Sequence, residues 1–159
     1  SFWYQAAAEA FQGVRQRDPG CVMAYWGEAM ALLVNPFTVT TAQNLRKGRE
    51  LLAEARRIGA RNEREAGFIA ALSELYGSED PATHRARLER YEQAMAQLHQ
   101  RFPDDAEVGI HYALALVMAA PPTDKTYARQ NRAAEILERE WVRQPQHPGV
   151  AHYLIHTYD

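Results

Sequence analysis

Three of the six histidines stand in the last thirteen residues, HPGVAHYLIHTYD, together with a carboxylate. His152 and His156 are four apart, so a helix would carry both imidazoles on one face, with Asp159 three residues further on. That is a spacing by which helices hold zinc, and it makes His152, His156 and Asp159 a possible ligand set. A metallopeptidase of the His-x-x-x-His type needs Glu directly after the first His as its base. Tyr153 stands there, which removes that reaction. His147 precedes Pro148 at the start of the helical pattern, off the face that His152 and His156 share. A second reading competes with metal. His152-Tyr153 repeats His111-Tyr112, and each pair follows a proline by seven or eight residues. A pair recurring at one place in a repeat points to packing, or to the lining of an inner surface.

Other chemistry is poorly supplied. The chain has no glycine-rich phosphate loop and no GxSxG, one cysteine (Cys21) and three serines, so no catalytic residue and no cofactor are assigned. Asp104 and Asp105 follow Pro103, where they suit the capping of the next helix. Arg46, Lys47, Arg49, Arg56, Arg57, Arg61 and Arg64 are interleaved with Glu50, Glu54, Glu63 and Glu65, and His84, Arg85, Arg87 and Arg90 form a second basic group. Mixed signs three and four apart describe solvated helix faces. A formal charge of −2 and the lack of aromatic–basic interleaving argue against nucleic acid as a partner. No apolar run is long enough for a bilayer, the longest (Cys21 to Val34) being interrupted by Glu28, so no membrane partner is expected. Cys21 alone can form neither an internal disulfide nor a thiolate cluster, which suits the cytoplasm and leaves the periplasm open.

The elements that must position these residues are helical. AAAEAFQGVRQ, GRELLAEARRIGA, RLERYEQAMAQLHQRF and RAAEILEREWVRQ place apolar residues three or four apart in good helix formers. Only FTVTT, Phe37 to Thr41, alternates like a strand. Aligning the chain on Pro19, Ala60, Pro103 and Pro145 gives spacings of 41, 43 and 42. Twelve, eight and five residues before each stand Ala7, Phe11, Val14; Gly48, Leu52, Ala55; Tyr91, Met95, Leu98; and Ala133, Leu137, Glu140. A second helical segment follows each stop: CVMAYWGEAMALLV, NEREAGFIAALSELYG, DAEVGIHYALALVMAA and GVAHYLIHTYD. Breaker-rich loops NPFT, GSEDP and APPTD separate the resulting hairpins. Hairpins at this period cannot bury a face alone, so the expected fold is all-α: an α-solenoid of about eight helices in one domain, residues 1–159. Its units run roughly 1–19, 20–60, 61–103, 104–145 and 146–159, beginning and ending on half a hairpin. The chain starts at Ser1 directly in a helical pattern, which gives the expectation of a piece of a longer protein.

The column at −12, −8, −5 and 0 resembles the second helix of a tetratricopeptide repeat, and AYWGEA resembles the aromatic–glycine start of its first helix. DPGCVMAYWGEAMA with HPGVAHYLIHTYD is similar to a group of uncharacterised bacterial tetratricopeptide-repeat proteins. The resemblance runs over essentially the whole chain. Ala60 in place of Pro, Tyr91 in a small-residue column and Glu140 in an apolar one depart from it, and HEAT-like hairpins are the structural alternative. The resemblance implies a right-handed solenoid acting as a non-enzymatic binding scaffold, with a metal-binding protein using His152, His156 and Asp159, or an architectural part of a larger enzyme, as the alternatives. Its first helices would line the concave face with Tyr25, Trp26, His111, Tyr112, His152 and His156, and its partner would be a protein or peptide segment. The Lys and Asn positions of a chaperone-tail clamp are unmatched, since CVMAYWGEAM has no Lys, Arg or Asn. Exposed terminal helices would also allow a homodimer.

Overall fold

Every helical pattern of the sequence is a helix in the computed structural model, which describes residues 2–158 with side chains from Trp3 onward. Among the described residues there are eight α-helices: α1 Phe2–Arg17, α2 Val22–Ala31, α3 Ala42–Ile58, α4 Glu63–Leu75, α5 His84–Arg101, α6 Ala106–Ala119, α7 Ala128–Arg143 and α8 Pro148–Tyr158. FTVTT lies in the connection from α2 to α3, and no strand occurs among the described residues. Its alternation is too short and too solvent-exposed to find a pairing partner.

Short polar side chains start the helices. Thr41 accepts from the Asn44 N–H, Asn62 from Glu65 and Asp105 from Val108, each satisfying an amide that the helix leaves orphaned. Of the two aspartates after Pro103, Asp105 is the cap, and Asp104 lies exposed one position before it. At the other end of α3, Gly59 takes φ 93°, a left-handed conformation that glycine tolerates.

The helices gather into two compact units, Ser1–Tyr91 and Glu92–Asp159, with the boundary falling inside α5. In the first, α2 packs on α1, α3 and α4, and α3 packs on α4. In the second, α6, α7 and α8 pack on one another. The repeat column describes what is buried. Gly48, Leu52 and Ala55, then Tyr91, Met95 and Leu98, then Ala133, Leu137 and Glu140 are all inaccessible. In the first register Ala7 and Phe11 are half-buried and Val14 is exposed.

Two helical glycines have aromatic rings lying directly on them. A Cβ on Gly27 of α2 would stand 2.4 Å from the Phe11 ring of α1, and one on Gly48 of α3 would stand 2.1 Å from Tyr76 at the end of α4. Trp26 meets Phe68 edge-to-face at 5.2 Å between centroids, joining α2 to α4. The core of the second unit is Ile110, Ala113 and Leu116 of α6, Ala133, Ile136 and Leu137 of α7, and Val150 of α8, with Tyr112, Tyr153 and Leu154 packed against it.

Candidate functional site

Helix α8 carries the densest set of chemistry-bearing residues, and its start is built by one of them. His147 Nδ1 accepts from the Val150 amide at 3.3 Å, so Nε2 carries the hydrogen and donates to Glu107 Oε1 at 3.0 Å. His147 is therefore a helix cap tied to α6, and it is not a third member of the His152–His156 pair. From this cap the helix buries Val150 and Thr157 and half-buries Tyr153 and Leu154. The turn of 100° per residue then sends His152, Ile155 and Tyr158 outward, all exposed, with His156 half-buried beside them.

On that outward face the Nε2 atoms of His152 and His156 lie 3.2 Å apart. Their rings are inclined by 72°, so they meet edge-on rather than stacked. Asp159, the third ligand suggested by spacing, lies outside the described residues. Among the described residues no group of three or more His, Cys, Asp or Glu could hold a metal ion. Tyr158 crosses to α7, where its hydroxyl donates to Glu138 Oε1. That bond raises the phenol's pKa by stabilising its neutral form. Trp141 and Val142, one turn further along α7 on the same side as Glu138, are exposed as well.

The remaining positions expected at a binding face divide between the units. Tyr25 and Trp26 belong to the first, His111, Tyr112, His152 and His156 to the second. Tyr25 is only 5% exposed; its hydroxyl donates to the Pro19 carbonyl and the Arg15 guanidinium lies over its ring. Trp26 is held by Phe68. Tyr112 and Tyr153 sit at matching places in α6 and α8 and both pack on the same core cluster. The pairs differ at histidine: His152 is exposed beside a half-buried Tyr153, whereas His111 is half-buried like Tyr112 and its Nδ1 is inaccessible. Burial raises the pKa of the Tyr112 phenol, which stacks at a tilt against His99.

Glu28, Arg87, His99 and Glu140 are buried, and of these only Glu140 was indicated by the sequence, through its apolar column. Glu28 of α2 is 1% exposed and ion-paired at 3.1 Å to Arg15 of α1 and 3.2 Å to Lys47 of α3. Its isolation in an otherwise apolar helix was the available signal. Arg87, grouped by sequence with solvated arginines, is instead buried. It donates from Nη1 to the Leu75 carbonyl at 2.6 Å, while Arg49 Nε donates to Tyr76 O. Two guanidiniums thus complement the negative end of α4, and burial lowers the pKa of Arg87. Arg87 extends the Tyr91–Met95 stripe back by one helical turn, a spacing that marks the inward face. Glu140 is inaccessible, held by Arg139 and Arg143, and His99 is nearly so. Burial lowers the pKa of His99, Arg139 and Arg132 reinforce the effect, and Glu140 opposes it. In a cleft of about 270 Å³ lined by Arg49 and Arg56, Arg49 is engaged by Tyr76 O and Glu79.

The class these observations define is an all-α protein whose eight described helices pack against their neighbours, none of them long and apolar enough to cross a membrane. No family model, curated protein or solved structure matches the chain.

Proposed function

We propose that this chain is a non-enzymatic interaction module of tetratricopeptide-like hairpins, and that it takes a peptide or protein segment on the outward face of α8. The observation that carries this reading is the exposure of large apolar side chains beside polar ones there. Ile155 is 61% and Tyr158 66% accessible next to His152 and His156, and Trp141 and Val142 are exposed on α7, the helix that Tyr158 reaches through Glu138. Exposed apolar and aromatic groups rimmed by hydrogen-bonding side chains have the composition of a recognition surface. The face is also firmly supported, since α8 is anchored through Val150, Thr157 and the His147 cap. A preorganised helix loses little entropy when it docks a partner.

Selection of peptides from a displayed random library, with chelator present, tests the reading. Recovered peptides should share spaced apolar positions. Ile155→Asp should weaken their binding at least about tenfold, roughly 1.4 kcal/mol, with the melting temperature unchanged. Failure to enrich any peptide, or binding indifferent to both Ile155→Asp and Tyr158→Ala, overturns it.

A further inference from the structure

We infer that His152 and His156 form a two-ligand site for a divalent transition metal of the zinc, nickel or copper class. Two imidazole nitrogens that share one metal are separated by a distance fixed by the bond length and the angle at the metal. With metal–nitrogen bonds near 2.0–2.1 Å, a tetrahedral angle gives about 3.3 Å and a right angle about 3 Å. The two Nε2 atoms stand 3.2 Å apart, inside that interval, before any metal is added. The edge-on inclination of 72° turns nitrogen toward nitrogen instead of stacking the ring faces.

The helix supplies this geometry at little cost. Positions four apart on α8 lie one above the other, on the side opposite the buried Val150 and Thr157. Cation entry leaves the core untouched. In the metal-free state one ring donates its Nε2 hydrogen to the other. Metal binding moves that hydrogen to Nδ1 and presents two Nε2 lone pairs to the ion, so no proton need leave. Imidazole pairs suit zinc, nickel and copper over the harder magnesium and calcium. With two protein ligands the remaining coordination positions fall to water, or to a donor brought by a second molecule. The site is therefore open and exchangeable, unlike the closed four-ligand sites that structural zinc occupies.

The test uses the chain free of any added histidines. Copper(II), nickel(II) and zinc(II) chlorides are titrated calorimetrically, and the copper complex is examined by electron paramagnetic resonance. One ion should bind per chain, with two equivalent nitrogens coupled to copper. His152→Gln and His156→Gln should each lower the affinity about tenfold or more and reduce the coupled nitrogens to one, while His84→Gln changes neither. Circular dichroism melts of both variants should match the parent, since neither side chain is in the core. Absence of saturable binding, or binding that survives in both variants, overturns the inference. Because the titration contains no peptide, its outcome is independent of the peptide-binding reading.

Discussion

Two glycines show how single atoms decide packing in this chain. Gly48 is pinned beneath Tyr76, whose hydroxyl donates to the Ala29 carbonyl at 2.5 Å and whose ring cannot retreat. Burial raises the pKa of that phenol well above its ordinary value, so it remains a neutral donor. Gly13 of α1 has nothing within 4 Å of where a Cβ would be. Alanine is the better helix former by about 1 kcal/mol, whereas overpacking a filled site costs roughly 1–3 kcal/mol. Gly13→Ala should therefore raise the melting temperature by a few degrees and Gly48→Ala should lower it by a similar amount. A thermal melt reads both, and equal signs for the two would show that Tyr76 yields. Glu28 makes a related point with charge. Its carboxylate is buried yet paired with Arg15 and Lys47, so one acidic side chain links three helices.

At the scale of elements, the helix starts carry the local information. Asp105 caps α6 through the Val108 amide at 3.0 Å, while its neighbour Asp104 is exposed one position outside. Asp105→Ala should cost about 1 kcal/mol and Asp105→Asn far less, because the asparagine oxygen can accept the same bond. Asp104→Ala should stay within about 0.5 kcal/mol. Urea midpoints of the three variants check the order, and a loss at Asp104 as large as that at Asp105 would rule out the cap as the cause. Helix α8 uses histidine for the same purpose at His147, which is why three nearby histidines do not add up to one site.

For the whole molecule, the buried histidine at position 99 ties stability to pH. Its folded pKa lies below the ordinary value, first through burial and then through Arg139 and Arg132. Above about pH 6.5 the imidazole is neutral in both states and costs nothing. As pH falls below that, the unfolded chain takes up a proton that the folded chain resists, so stability is lost downward through this window. His84 is shifted in the same direction and adds to the loss. His99→Gln should therefore lose less stability than the parent between about pH 7.5 and about pH 5.5. Urea unfolding at the two pH values measures it, and identical losses in the two proteins would remove His99 as a contributor.

Helix number and the last three registers of the buried stripe were legible in the sequence, because they follow from local spacing and breakers, whereas α2 stops at Ala31, short of its apolar run to Val34, and Val14 of the first register is exposed. Even Glu140, odd by residue type in an apolar column, is buried where the register puts it. The inward direction of Tyr112 and Tyr153, and the outward direction of His152, came only from the fold. A repeat aligns residues without saying which way a face points until neighbouring helices close on it. Tertiary structure alone also decided the fate of the charges. Burial of Glu28 and Arg87 depends on partners 13 to 19 residues away in Arg15 and Lys47, and on the carbonyl of Leu75 at the end of another helix. Sequence spacing registers what lies within a turn or two of helix. Desolvation of a charge is settled by whichever distant atoms fill the space around it.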